Sequence, residues 1–163
     1  MLALVAGIHV FTMVPHGKDV DGRNKSGHDD PGEVIVKKSF IRSARAEKRA
    51  YSPAVITEGG KTVWLGGHTG AVADAGKSLA GDFDAQCRQT FRNIEKTLAE
   101  AGAKLDDLVT MTVFLIDSRY TTRMTELRTE IFGKDFPASA AITVAGFAQP
   151  EMMIEIQGVA VVA

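Results

Sequence analysis

The sequence predicts a single α+β domain, and three features lead to that fold class. Two segments carry apolar residues at every third or fourth position, which is the period of an amphipathic helix. Several short runs rich in Val, Ile, Leu and Thr alternate with glycine-containing turns, as strands do. The chain has 163 residues and no internal repeat, which is the length of one domain with a substantial core.

The predicted strands and helices follow one another in mixed order. Asp82 is a good N-cap for the first helix, whose apolar positions run from Phe83 to Ala101 before Gly102 ends it. The second helix begins near Tyr120 and ends at Gly133. In chain order we predict strands over 33–40 and 51–57, a hairpin turn at 58–61, a strand over 62–66, the first helix, a strand over 108–116, the second helix, and strands over 140–146 and 152–162.

The strand predicted over residues 108–116 is apolar on both faces. Strict alternation places Val109, Met111, Val113 and Leu115 on one side, and Leu108, Phe114 and Ile116 on the other. Such a strand needs cover on both faces of its sheet, and two helices cover only one. We therefore expect the second face of the sheet to meet another copy of the chain.

Residues 1–33 are expected to be a disordered N-terminal extension, and residues 34–163 to form the domain. Residues 1–15 are mostly apolar but too short to span a bilayer, and they lack the basic start and cleavage site of a signal peptide. Residues 16–32 are polar, charged and rich in glycine, so they offer nothing to pack. This stretch also resembles translated intergenic sequence at over-called gene starts, which would place the true start near Val34 or Val36.

The composition argues against several classes of function. The chain has 19 basic and 20 acidic residues, so no strong field favours nucleic acid or a membrane surface. His68 is the single histidine of the domain, and we expect no metal site. Cys87 is the only cysteine, which excludes an internal disulfide and favours a reducing, cytoplasmic location. Its place on the apolar side of a predicted helix indicates a core residue.

A few polar or small residues interrupt the apolar strands, and each has an ordinary structural explanation beside a functional one. They are Tyr51, Gly66, Gly67, His68, Ser139, Glu155 and Gln157. Tyr51 is also compatible with the core, the glycines and the histidine with a simple turn, and Ser139 with a capping hydroxyl. The last two share one side of the final strand, which could be a solvated face.

Taken together and in order, residues 51–163 resemble the Rid family, also called the YjgF-type or reactive-intermediate deaminase family, as a divergent, RidA-like member. The matching segments are Ala50-Tyr51-Ser52-Pro53-Ala54, Val63-Trp64-Leu65-Gly66-Gly67, Phe91-Arg92-Asn93-Ile94 with Ala101-Gly102 after it, Val113-Phe114-Leu115-Ile116-Asp117, Phe136-Pro137-Ala138 and Ile154-Glu155-Ile156. They cover about 110 residues in register.

The resemblance implies a chorismate-mutase-like fold, in which a mixed sheet carries two helices on one face. It also implies a homotrimer with the sheets turned inward and three ligand clefts between subunits, in agreement with the two-faced strand. The chemistry that it implies is hydrolysis of unstable imines and enamines, such as 2-aminoacrylate, to a 2-oxo acid and ammonia without a cofactor. Ribonuclease activity has also been attributed to this family, but the neutral domain gives that activity little support.

The sequence departs from the family pattern at two decisive positions. In the family, an arginine after the Pro-Ala pair binds the substrate carboxylate and a glutamate on the last strand positions or activates water. Ser139 and Gln157 stand at these positions here, and Gly66-Gly67-His68 replaces the frequent Ser-Gly-Gln. Tyr51 and Gly67 match the pattern, as the tyrosine that closes the cleft and the glycine that offers backbone contacts.

Two hypotheses follow from this pattern. In the first, the chain is a diverged C–N hydrolase with poor 2-aminoacrylate activity, in which His68 is the acid/base and Arg119 supplies a displaced positive charge. Ser139 and Gln157 then orient the substrate. Tyr51, Gly66, Gly67, Ala141 and Glu155 complete the substrate-binding set. In the second hypothesis, the chain is a non-catalytic module that binds a metabolite or stabilises partner proteins.

Overall fold

The computed structural model describes residues 35–163, so the prediction for residues 1–33 lies outside the described residues. The strands are β1 (Lys37–Ile41), β2 (Ala54–Glu58), β3 (Lys61–Thr69), β4 (Leu108–Leu115), β5 (Ala138–Thr143) and β6 (Ile154–Val162). The α-helices are α1 (Ala44–Glu47), α2 (Phe83–Glu100) and α3 (Thr121–Phe132). None of the helices in this part of the chain is long and apolar enough to cross a membrane.

Four of the strands form one mixed sheet in the order β3-β6-β4-β5. β4 and β5 are parallel, whereas β6 is antiparallel to both of its neighbours. The strands β1 and β2 form a separate antiparallel pair. The predicted hairpin at 58–61 is therefore wrong in one respect: the turn is tight, but β2 pairs with β1 and β3 pairs with β6. The predicted α+β class with a mixed sheet is confirmed.

Both long helices pack on the same face of this sheet, as expected. The Asp82 side chain accepts a hydrogen bond of 2.9 Å from the amide of Ala85, which confirms it as the N-cap of α2. The helices and the covered face share one apolar core. Its most buried members are Cys87, Ile94, Leu98, Met111, Val113, Leu115, Met124, Leu127, Ile154 and Ile156. We call this side of the four-stranded sheet the covered face.

The side chains of β4 do not alternate strictly between the two faces, because the pattern breaks after the first residue. Leu108 pairs with Ala160 and Thr110 pairs with Val159, so Val109 is an extra residue in a bulge. The bulge returns Leu108 to the covered face, where it is 2% exposed. The expectation that Leu108 lies with Phe114 on the opposite face is therefore wrong, because a bulge breaks the two-residue period.

The opposite side of the sheet, here called the open face, is covered only in part by residues 35–163. Cross-strand partners share a face, and this face carries Trp64, Thr110, Thr112, Phe114, Ala140, Ile142, Glu155, Gln157 and Val159. Trp64 is 79% exposed and Ile142 is 46% exposed. Large apolar side chains in such positions are typical of a surface that another chain covers.

Candidate functional site

Three of the predicted site residues meet in one pocket. Tyr51, Ser139 and Ala141 line a cavity of about 240 Å³ between β5 and α3. Ser139 pairs with Met111 across the parallel ladder, so it lies on the covered face. One stripe of α3 forms the other wall, with Thr121, Met124, Thr125 and Arg128. We call this cavity the β5–α3 pocket.

The segment before β2 is shaped by the end of the short helix α1. The amide of Ala50 donates to the carbonyl of Glu47 at 3.0 Å, and the amide of Tyr51 donates to the carbonyl of Ala46 at 3.2 Å. Ala50 has a φ of 52°, the left-handed conformation that closes many helix C-termini. A bridge between Ser52 and Ala138 then ties this segment to the start of β5. These contacts place Tyr51 and the Arg49 carbonyl at the pocket.

Arg128 is the central polar group of the pocket, and it occupies the space beside Ser139. Its Nη1 donates to the Ser139 hydroxyl at 2.8 Å, and its Nη2 donates to the Arg49 carbonyl at 2.6 Å. The residue is only 5% exposed, and its Nε has no hydrogen-bond partner among the described residues. Burial lowers the pKa of the Arg128 guanidinium to about 10, because no carboxylate compensates for the lost water.

A second group of predicted residues lies on the open face. Gln157 pairs with Thr112 and Glu155 pairs with Phe114, so both side chains belong to this face. The Glu155 carboxylate lies directly over Gly67, where the Cβ atom of any larger residue would collide with Oε1. Gly67 therefore leaves the room that the carboxylate occupies.

The two groups lie on opposite faces of the same sheet. Ser139 lies on the same face as its cross-strand partner Met111, and Gln157 lies on the same face as its partner Thr112. Met111 and Thr112 are adjacent in β4, so their side chains point to opposite faces of the sheet. A ligand in the β5–α3 pocket of one copy therefore cannot reach Gln157 of that copy through the sheet. A site that uses both residues needs two copies of the chain.

His68 lies on the covered side, away from Gln157. A bulge between Leu65 and His68 contains Gly66 and Gly67, and beyond it His68 pairs with Ile156. The ring Nδ1 donates to the Gly66 carbonyl at 2.9 Å, since a carbonyl can only accept. Nε2 bonds the Thr97 hydroxyl at 2.9 Å. Both ring nitrogens are thus engaged by the protein.

Arg119 lies on the surface and does not line the β5–α3 pocket. Its guanidinium pairs with Asp117 at 3.0 Å, and the hydrogen bonds from Arg119 hold the pKa of that carboxyl below its usual value. The arginines that line the pocket are Arg49 and Arg128. The sequence does carry a signal for Arg128, because this residue follows Met124 by four residues and therefore shares the buried stripe of α3.

The sequence profile described as Endoribonuclease L-PSP matches residues 41–162. A RutC family protein of Pyrococcus abyssi is 32% identical over 121 residues, which cover 74% of this chain and 93% of that protein. The human 2-iminobutanoate/2-iminopropanoate deaminase is 30% identical over 111 residues, covering 68% of this chain and 79% of the human protein.

Solved structures have the same fold. The crystal structure of RidA from an Antarctic Psychrobacter is 28% identical, with a TM-score of 0.57 over 76% of this chain and 99% of that chain. A Rid-family protein of Yersinia pestis reaches a TM-score of 0.68 at 24% identity, covering 77% of this chain and 98% of that chain. The predicted YjgF-type fold is thereby confirmed.

Proposed function

Since the chain belongs to the Endoribonuclease L-PSP family, which includes the Rid and RutC proteins, we propose that it hydrolyses a small imine, enamine or related C–N bond. The observation that carries this proposal is the β5–α3 pocket, which brings Tyr51, Ser139 and Ala141 together. The similarity to the human deaminase supports the same reaction class. The proposed cleft lies between two copies of the chain, because the pocket and Gln157 lie on opposite faces.

The reaction consumes one water and releases one ammonia. Water adds across the C=N bond to form a carbinolamine, which then expels ammonia and leaves a carbonyl. In the proposed cleft, the Tyr51 and Ser139 hydroxyls contact the substrate in the pocket of one copy. From the open face of the next copy, the Glu155 carboxylate accepts the proton of the attacking water and Gln157 orients that water. His68 and Arg119 have no part, because Thr97 and Asp117 engage them elsewhere.

We expect slow turnover of 2-aminoacrylate. Gln157 is a neutral amide at the position where relatives in the family pattern have a glutamate, and an amide cannot accept the proton of water. Loss of a positioned general base lowers a rate by roughly 10²–10⁴-fold. The Glu155 carboxylate, two residues away, compensates for only part of that loss because it lies over Gly67 rather than at position 157.

The test follows pyruvate formation while 2-aminoacrylate is generated in situ from serine by a dehydratase. The wild type should exceed the uncatalysed rate, Gln157→Glu should raise its rate by about tenfold or more, and Glu155→Gln should lower it. Gln149→Glu adds the same charge in an exposed loop and serves as the matched control. A rate that none of these substitutions changes would contradict the proposed roles.

The second candidate is a non-catalytic module that binds a metabolite or stabilises partner proteins. The neutral Gln157 favours it, because the open face then binds a ligand without activating water. This candidate predicts no turnover above the uncatalysed rate in the wild type or in Gln157→Glu, for 2-aminoacrylate and for larger imines. Ligand binding would persist in both proteins.

A further inference from the structure

We propose that Arg128 is the binding group for the carboxylate of a small ligand, and that α3 thus supplies the positive charge of the β5–α3 pocket. The inference rests on the proposed function in one respect, since it assigns the ligand to the same cleft. It goes beyond that function by naming the residue that selects the ligand and the class of ligand.

The charge of Arg128 has no counter-ion in the described part of the chain. Several exposed arginines do pair with carboxylates: Arg42 with Asp135, Arg88 with Glu130, Arg119 with Asp117, and Arg123 with Asp84 and Glu126. Arg128 is far more buried than these residues, yet both of its hydrogen-bond acceptors are neutral. A buried cation without a partner is unfavourable, so an anion that enters the pocket removes that penalty.

The guanidinium is already held for such a ligand. A guanidinium has five N–H donors, and the Ser139 hydroxyl and the Arg49 carbonyl accept two of them. Of the remaining donors, the buried Nε–H has no acceptor among residues 35–163. Two fixed contacts restrict the rotation of the guanidinium, so binding orders little that is not already ordered.

The lining of the pocket also selects an anion. Two arginines line it, Arg128 and the more exposed Arg49, and no aspartate or glutamate does. The hydroxyls of Tyr51 and Thr121 provide further donors, whereas that of Thr125 already donates to the Thr121 carbonyl at 3.0 Å. A volume of about 240 Å³ admits roughly eight water-sized groups. The best fit is a short-chain acid with one carboxylate, because a planar carboxylate accepts two parallel bonds from a guanidinium.

Ser139 is the complement of Arg128 in this arrangement. Its small side chain leaves the volume that the guanidinium occupies, and its hydroxyl accepts from Nη1. An arginine at position 139 would bring a second cation against the first in a buried space. Ser139→Arg alone should therefore weaken anion binding, whereas Ser139→Arg combined with Arg128→Gln should recover part of it.

The experiment measures binding of 2-oxobutanoate by titration calorimetry, with the neutral 2-oxobutanamide and inorganic phosphate as comparison ligands. We expect Arg128→Gln to weaken 2-oxobutanoate binding by about 10- to 100-fold, and Arg128→Lys to weaken it less. Arg123→Gln, five residues earlier on the same helix and outside the pocket, should leave the affinity within about twofold. The amide should bind the wild type no better than it binds Arg128→Gln.

Equal affinity of the wild type and Arg128→Gln for 2-oxobutanoate would overturn the inference, as would preferential binding of phosphate. If Arg128→Gln fails to fold, the comparison of acid with amide on the wild type and the Arg128→Lys variant still decides. Binding that depends on Arg128 without turnover supports the inference and refutes the proposed reaction. Turnover that does not depend on Arg128 supports the proposed reaction and refutes the inference.

Discussion

The two faces of the four-stranded sheet differ in what they contact. On the covered face, Met111, Val113 and Ile156 are at most 1% exposed and pack against both long helices. On the open face, Trp64 is 79% and Ile142 46% exposed within a single copy. The covered face therefore contributes most of the buried core, and we propose that another copy of the chain covers the open face.

The polar groups follow the same division. The covered face holds Arg128 and Ser139 at its β5 edge, and the open face holds Glu155 and Gln157 near its centre. Neither set makes a complete hydrolytic site. Arg128 and Ser139 include no group that activates water, and Glu155 and Gln157 include no positive charge for an anionic substrate. This division is the reason that the proposed cleft lies between two copies.

The reactivity of Cys87 should show the largest contrast between the buried core of the covered face and the exposed surface. Burial raises the pKa of this thiol from 9.0 to about 12, and the residue is fully buried against α3. Near pH 8 the thiolate fraction is then about 1,000-fold below that of a thiol with the ordinary pKa. Alkylation by iodoacetamide should be slower by at least this factor than in Glu95→Cys, which exposes a thiol on the same helix.

The same shift gives a sign for the pH dependence of stability. The raised pKa favours the protonated thiol in the folded chain, so its contribution is complete below pH 9 and declines as the pH rises toward about 12. In Cys87→Ala this part of the decline should be absent in urea unfolding series. Rapid alkylation of native Cys87 would show that the covered face opens.

Gly70 provides the next largest effect, because this residue, directly after β3, lies against the backbone of α2. A Cβ atom at this position would collide with the Gln86 carbonyl oxygen and lie 2.6 Å from the Thr90 amide nitrogen. Gly70→Ala should therefore lower the free energy of unfolding by about 3 kcal/mol or more, measured by urea denaturation. Gly66→Ala is the matched control, since nothing lies within 4 Å of its added methyl group. Similar losses in both variants would contradict the close packing at Gly70.

Trp64 tests the open face. We expect the purified chain to have about three times the mass of 17.5 kDa in light scattering, because this face is only partly covered in one copy. Trp64→Glu should weaken the assembly by about 2 kcal/mol or more and release monomers on dilution. Val72→Glu changes another exposed apolar residue that lies outside the sheet and should leave the mass unchanged. A wild type that is monomeric at micromolar concentration would remove the basis for a shared cleft.

His68 should give the smallest effect. His68→Gln loses the bond to Thr97, and the free energy of unfolding should fall by about 1 kcal/mol. Turnover should change little, because the ring faces α2 rather than Gln157. A loss of about 100-fold or more in the rate would instead restore His68 as the acid/base that the sequence indicates.

The sequence predicted what local patterns determine. Asp82 and the apolar period of α2 specify that helix, and the family motifs place Tyr51, Ser139 and Ala141 in one pocket. The sequence could not predict which face of the sheet Leu108 and His68 occupy. Each residue adjoins a bulge, and the position of a bulge depends on the neighbouring strand. A periodicity that counts only apolar residues also fails to identify Arg128, which is buried on the apolar stripe of α3.

The exposed Arg119 was a natural choice from the sequence, because it begins the second helix near the end of β4. In the structure its nearest carboxylate, Asp117, lies two residues away on the same turn and already neutralises it. The choice between two arginines thus depends on where acidic side chains lie in space, and the order of residues does not contain that information.

A crystal structure of the chain with 2-oxobutanoate is the most direct test of a carboxylate site completed by a second copy. We predict the ligand carboxylate within about 3 Å of the Arg128 guanidinium, and its carbonyl end turned toward Glu155 and Gln157 from the neighbouring copy. A ligand bound within one copy alone, or bound away from Arg128 with that guanidinium still lacking an anion, would contradict the account.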